Sequence, residues 1–280
     1  MKITVIIPYS NQDASRIDAL NKTLDCIDKQ DLRLVINGQA TIFKNYDFIF
    51  VEQKTHDNYQ WVDTRGIPDV HVKLEHFGRF NKSWCMNVGA KLAGPGYLVY
   101  IDADMLFGKE YLSYCFLWAN KQEPVNPKFF IGWSWITKLP GRDEPIARII
   151  RPSIMTAGGI FWILKEFYWS IGGMNENYFG YGGEDNDFWI RANCTLGSKN
   201  VNNVKDCPYP LVHTYHDNAV PSKERFVHLD RTVQYPDAVI KKLKMQELGN
   251  CKNPTVVDFD DLVLIDPTID SKEGKGIVTN

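Results

Sequence analysis

Residues Tyr97-Leu98-Val99-Tyr100-Ile101 form an unbroken apolar run, bounded by Gly94-Pro95-Gly96 in front and by Asp102-Ala103-Asp104 behind. A strand wet on one face alternates apolar and polar residues. One that does not alternate is covered on both faces, as in a parallel sheet with helices packed above and below it. That constraint selects an α/β architecture, and other segments agree with it. Val5-Ile6-Ile7 is a short β-branched run stopped by Pro8, and residues 11–30 carry helical spacing through Ile17, Leu20, Leu24 and Ile27. Leu32 to Ile36 and Phe48-Ile49-Phe50-Val51 read as strands, with Asn37-Gly38 as a turn signal. Lys82 to Leu92 predicts a helix with Trp84, Cys85, Val88 and Leu92 near one face. Strands alternating with helices predict a parallel sheet in the first half.

The second half is less regular. Phe129 to Trp133 and Ile160 to Leu164 read as strands, Lys165 to Ile171 as a short helix, and Glu184 to Cys194 as a helix that follows a glycine-rich loop. Further on, Ala238 to Leu248 has helical spacing, Thr255 to Ile265 holds strand-like pieces, and Ser271 to Asn280 is a polar tail expected to be mobile.

Composition narrows the partners. With 44% hydrophobic and 24% charged residues and a net charge of -2, the chain has no electrostatic footprint for nucleic acid. Any anionic ligand must therefore be met locally, by a metal or a few placed cations. No apolar window is long enough to cross a bilayer, and the N-terminus enters Lys2 to Pro8 without a signal peptide's apolar core. The six cysteines show neither zinc spacing nor a dense disulfide framework. Reduced thiols and a cytoplasmic location are expected, with peripheral contact at the inner face of a membrane as a variant of it.

Two acidic sites carry the chemistry. Asp102 and Asp104 follow the buried strand, and ligands of open parallel sheets bind beyond the carboxyl ends of the strands. A carboxylate pair held there can offer oxygen ligands to a hard divalent cation that bridges two phosphates. The same pair could instead cap the next helix. Asp-any-Asp occurs three times, at 102/104, 185/187 and 258/260, so the context of the first carries the assignment. His213 and His216 are candidates for a further ligand, His213 ahead of His216. A mixed carboxylate and imidazole set favours manganese over magnesium. The second site is Gly180-Tyr181-Gly182-Gly183-Glu184-Asp185, which places two carboxylates at a helix N-terminus. There they could be plain caps, or Asp185 could take a proton from an acceptor hydroxyl while Glu184 holds a neighbouring one. The helix terminus lowers basicity, so Asp185 is expected to be a weak base that works by position. Trp133, Trp135, Phe161, Trp162, Tyr178, Phe179 and Tyr181 cluster nearby in sequence, and a subset could form a platform for a sugar ring.

In one order, Val5-Ile6-Ile7-Pro8-Tyr9, Phe48 to Gln53, Phe80-Asn81-Lys82 with Asn87-Val88-Gly89, Asp102-Ala103-Asp104, Gly158-Gly159 and Gly172 to Asp185 resemble the β-1,4-galactosyltransferase family and related family-two enzymes of the GT-A glycosyltransferase fold. The resemblance implies a metal-dependent inverting transfer of a hexose, galactose or N-acetylgalactosamine, from a UDP-sugar to a saccharide or glycolipid acceptor, with Mn2+ (or Mg2+) as cofactor. It implies donor contacts at Pro8, Tyr9, Glu52, Lys82, Asp102 and Gly159, with Lys82 where the family has an Arg. Metal contacts would fall to Asp102 and Asp104 with a histidine. Acceptor contacts would fall to Tyr181, Trp162 and Glu184, with Asp185 as base. Tyr181 stands in place of the family's mobile Trp. Residues 1–120 would form the nucleotide-sugar half, 121–220 the acceptor and catalytic half of the same domain, and 221–280 a C-terminal extension. The alternatives are a catalytically silent carbohydrate-binding protein on the same fold and a sugar nucleotidyltransferase.

Overall fold

Tyr97–Ile101 is a strand with all five residues buried, as its unbroken apolar run requires. The structure, a computed structural model, describes residues 2–10, 14–30, 32–36, 39–43, 46–75, 79–121, 129–132, 134–136, 148–149, 159–176, 178, 184–196, 202–204, 211–213, 262–265 and 277–278. In chain order the elements are β1 (Ile3–Tyr9), α1 (Ala14–Asp28), β2 (Leu32–Ile36), β3 (Gln39–Phe43), β4 (Tyr46–Lys54), β5 (Val70–Glu75), α2 (Lys82–Leu92), β6 (Tyr97–Ile101), β7 (Met105–Leu106) and α3 (Tyr111–Lys121). They continue with β8 (Phe129–Gly132), β9 (Ser134–Ile136), β10 (Arg148–Ile149), β11 (Ile160–Leu164), α4 (Lys165–Ser170), α5 (Glu184–Leu196), β12 (Asn202–Val204), β13 (Leu211–His213), β14 (Leu262–Ile265) and β15 (Ile277–Val278).

The main sheet has nine strands in the order β12-β8-β11-β6-β1-β4-β5-β14-β15. Its centre, β6-β1-β4-β5, is parallel, as the first half of the sequence predicts. The flanks add antiparallel pairs to this parallel centre, while β12 pairs parallel with β8. β11 runs antiparallel to β6 and β8, and β14 antiparallel to β5. Antiparallel β11 gives the apolar edge of β6 a partner without needing another helical crossover.

The central strands are buried on both faces because two separate cores sandwich them. Ile3, Val5 and Ile7 of β1, with Tyr97, Val99 and Ile101 of β6, pack with Leu20, Leu24 and Ile27 of α1 and Leu112 of α3. The alternate residues Ile6, Leu98 and Tyr100 pack with Met86, Val88 and Ala90 of α2, Tyr168 of α4 and Phe188 of α5. This is the period-two alternation of a strand acting on two layers at once.

A second sheet, β10-β9-β13-β7, pairs β13 with β7 so that His213 stands opposite Met105. β2 and β3 form a hairpin around the Asn37-Gly38 signal. In the tail expected to be mobile, Ile277 and Val278 instead pair with Leu264 and Val263. These two β-branched residues are the apolar exception in that polar stretch. The helix read at 238–248 lies outside the described residues.

Candidate active site

Parallel strands deliver their carboxyl ends to one edge, and helices returning from that edge begin there. β6 therefore releases Asp102 and Asp104 at the same edge where α2 starts. Asn81 caps α2, its side chain accepting from the Trp84 amide at 2.9 Å, and so fixes the direction in which Lys82 leaves the first turn. Lys82 Nζ lies 2.8 Å from Asp102 Oδ1, 3.3 Å from Asp185 Oδ2 and 3.6 Å from Glu184 Oε1. One ammonium thus gathers carboxylates from both acidic motifs. Its side chain is only 15% exposed.

The electrostatics follow from three carboxylates sharing one cation. Burial works against the charge on Lys82, yet Asp102, Asp185 and Glu184 together hold its pKa well above the usual lysine value. Burial pushes the Asp185 carboxyl up to about 7; Lys82 pulls it down, and Glu184 and Asp102 push it further up. The shift runs opposite to the one expected from the helix terminus alone. The helix terminus does favour the anion, but removal from water and two neighbouring carboxylates outweigh it.

Asp104 is nearly buried. The amide of Asp102 donates to the Gly159 carbonyl at 2.7 Å, which ties the metal-type motif to the start of β11. Gly159 has φ +109°, and a Cβ there would come within 2.8 Å of Met105 Sδ. Gly159 thus belongs to the site through its backbone, as the support under Asp102.

Other expected contacts fall elsewhere. Glu52 is fully buried and its oxygens are occupied: Oε1 accepts from the Tyr59 hydroxyl at 2.8 Å and the Val62 amide at 3.0 Å, and Oε2 lies 2.8 Å from His71 Nε2. It anchors the loop after β4 through Tyr59 and Val62. Trp162 is 0% exposed among the core residues that include Tyr97, with ring centroids 6.0 Å apart, so it is a core residue and no acceptor platform. Pro8 and Tyr9 end β1 at the expected edge, but both are buried, and the Tyr9 ring packs 5.8 Å from that of Phe50. Tyr181 and His216 lie outside the described residues, as does the side chain of His213.

Asp102 and Asp104 supply hard oxygen donors, a set suited to a divalent cation that completes its shell with water and phosphate. Among the described residues, no group of three His, Cys, Asp or Glu side chains could hold a metal ion by itself. The two-carboxylate set fits a cation that arrives with a phosphate ligand.

Two clusters behind the site were not read from the sequence. Asn87 of α2 and Arg191 of α5 are both buried and fully engaged with the turn between α4 and α5. The i,i+4 spacing of Asp187 and Arg191 was a readable signal for an ion pair, and their bond of 2.7 Å realises it. Asn87 stood among the segments that carry the family resemblance, with no role assigned to it.

The central sheet with helices on both faces is that of the GT-A glycosyltransferase fold, and part of the chain resembles galactosyltransferases. The sequence profile of a family described as the N-terminal domain of galactosyltransferase matches residues 147–213. The crystal structure of S. aureus TarS aligns with a TM-score of 0.53 at 16% identity, over 77% of this chain and 37% of that one. TarS 1-349 in complex with UDP-GlcNAc aligns with a TM-score of 0.54 at 16% identity, over 78% and 60%. The chain therefore spans less than two thirds of these proteins' length. A Drosophila β1,4-galactosyltransferase 7 mutant in complex with manganese, UDP-Gal and xylobiose aligns more loosely, with a TM-score of 0.45 at 15% identity over 88% and 83%. No curated protein matches by sequence. No helix among the described residues is long and apolar enough to cross a membrane.

Proposed function

We propose that the protein is an inverting glycosyltransferase that moves a hexose, galactose or N-acetylgalactosamine, from a UDP-sugar to a hydroxyl of a saccharide or glycolipid acceptor at the cytoplasmic face of a membrane. The observation that carries this reading is the convergence of Asp102, Glu184 and Asp185 on Lys82 at the carboxyl edge of the parallel strands. The solved TarS complex with UDP-GlcNAc supports a UDP-sugar as the donor class, and the galactosyltransferase profile supports a hexose. Residues 1–120 hold the donor, 121–220 the acceptor, and 221–280 extend the same unit.

Asp104 and Asp102 would hold Mn2+ or Mg2+, which when bound offsets the negative charge on the departing diphosphate. Lys82 can turn from the carboxylates to the diphosphate, since its flexible stem carries a mobile point charge. Asp185 accepts the proton of the attacking acceptor hydroxyl, whose oxygen forms the new bond to the anomeric carbon as the bond to UDP breaks on the opposite face. Glu184 accepts a hydrogen bond from a neighbouring acceptor hydroxyl. A base with a pKa near 7 is matched to neutral pH.

The test is UDP release from a panel of UDP-sugars with an acceptor mixture, in manganese or in chelator, with Asp104→Ala alongside. Manganese-dependent release that the variant loses supports the reading. No release from any donor, with no UDP binding by calorimetry, overturns it.

A further inference from the structure

The turn between α4 and α5 is built as a clamp. The Gly173 amide donates to the Tyr168 carbonyl at 2.9 Å and the Gly172 amide to the Trp169 carbonyl at 3.0 Å, the paired bonds of a Schellman cap. Gly172 has φ +87° and Gly173 φ +63°, so the chain turns sharply and brings its polar groups inward.

Asn87, 0% exposed on α2, takes one side of the turn. Its Oδ1 accepts from the Met174 amide at 2.9 Å and from the Tyr168 hydroxyl. Its Nδ2 donates to the Met174 carbonyl at 2.9 Å and to Glu176 Oε1 at 2.6 Å. All four hydrogen-bonding positions of the amide are used. Asn81, at the start of the same helix, adds a bond from Nδ2 to the Glu176 carbonyl at 2.7 Å.

Arg191, 2% exposed on α5, takes the other side. Its Nη1 donates to the carbonyls of Ile171 and Gly173, both at 2.6 Å, while Nε and Nη2 bind Asp187 Oδ2 at 2.9 and 2.7 Å. Residues 171–176 therefore join two helices, and each helix projects its first turn into the site: α2 presents Lys82, and α5 presents Glu184 and Asp185.

We propose that Asn87 and Arg191 are positioning residues: through the turn at 171–176 they set the separation of Lys82 from Asp185, and with it the rate of transfer, without touching either substrate. This rests on the proposed transferase reading. A side chain that only filled space would not need three directional bonds to one turn and a fourth to the helix that leads into it, nor would its partner helix need to grip the same turn by its carbonyls. A displacement of about 1 Å at a reacting pair can cost about 10²-fold in rate, so small slippage of the turn has a large readout.

The experiment measures transfer kinetics, UDP affinity and thermal melts of the full chain for Asn87→Ser, Arg191→Lys and the pair. Arg191→Lys keeps the charge and loses the fork, which protects the test against simple misfolding. In variants that melt cooperatively, kcat is expected to fall at least about tenfold with donor KM within about twofold, and the acid limb of the kcat profile is expected to shift. The double variant should be no slower than the slower single one, because releasing either side frees the same turn. Unchanged kcat in folded variants, or rate losses that multiply in the pair, would overturn the inference. A wild-type chain without transfer would overturn the transferase reading instead, and the two failures are distinguishable.

Discussion

Asp185→Asn should produce a protein that is more stable at alkaline pH and inactive. The folded-state pKa of Asp185 stands near 7 against an ordinary value of 3.8, with burial as the main cause. The folded state therefore holds this proton more tightly than the unfolded chain does. The stabilisation from the protonated form is complete below about pH 4, and it is lost as pH rises through about 7. About three units at ~1.36 kcal/mol each bound the penalty of the ionised form at about 4 kcal/mol. The side chain is 21% exposed, and solvent and the Lys82 ammonium relieve part of this, so we take roughly half, about 2 kcal/mol. The two partners pull in opposite senses. The raised pKa of Lys82 marks an attractive pair, while that of Asp185 marks a net cost, because Glu184 and Asp102 repel the same carboxylate that Lys82 attracts. Asparagine keeps the shape and removes the charge. At pH 8 the variant should melt about 4 °C above wild type, at roughly 2 °C per kcal/mol for a chain of this size, and the gap should narrow as pH falls and nearly close at about pH 3. Transfer should fall by about 10²- to 10⁴-fold, with UDP affinity retained. A variant that is no more stable at pH 8, or equally stabilised at both pH values, would refute the assignment of burial as the dominant effect. Wild-type turnover by the variant would refute the base.

Three further outcomes follow from the geometry. Lys82→Met leaves Asp102, Glu184 and Asp185 without their shared cation and should lose about 3 kcal/mol of stability, partly restored by millimolar Mn2+; melts with metal and with chelator check this. Gly159→Ala should lose at least about 2 kcal/mol, because φ is +109° and the added Cβ meets Met105 Sδ at 2.8 Å; urea titration measures it, and wild-type stability would contradict the strain argument. Glu52→Gln should lower stability by about 2 kcal/mol through its bonds to Tyr59, Val62 and His71, while donor KM stays unchanged; a raised KM with an unchanged melt would restore a nucleotide role.

Fold and site were legible to different degrees. The run at Tyr97–Ile101 announced a doubly buried strand because burial on both faces removes polar residues from every position, and the residues after it marked the open edge. The boundaries of α2 were readable for a similar reason, since apolar spacing ends at a Gly-Pro-Gly break. The acidic motifs were visible as motifs, but their meeting through Lys82 was not, because a contact spanning 103 residues has no local signature. Sequence reading put Trp162 and Glu52 at the cleft, because an aromatic or acid at a motif position reads the same whether it faces the cleft or the interior. Cover on both faces of the sheet decides this: Trp162 packs with Ile160 in one core while Phe161 and Ile163 pack in the other, and Glu52 turns to His71. Asn87 was quoted in the resemblance without a role, because its bonds go to a turn more than eighty residues away in the chain.

The antiparallel strand beside β6 also governs how the chain can be made. Until Ile160–Leu164 has been synthesised, the run Tyr97–Ile101 is an uncovered apolar edge, the kind of surface that recruits other strands. A nascent chain that stops near residue 120 holds the parallel block but leaves that edge bare, with Lys82 facing only one of its three carboxylates. Separating the halves should therefore give a sticky fragment in place of a soluble nucleotide-binding module. The dangerous interval of biosynthesis is the stretch of translation between β6 and β11.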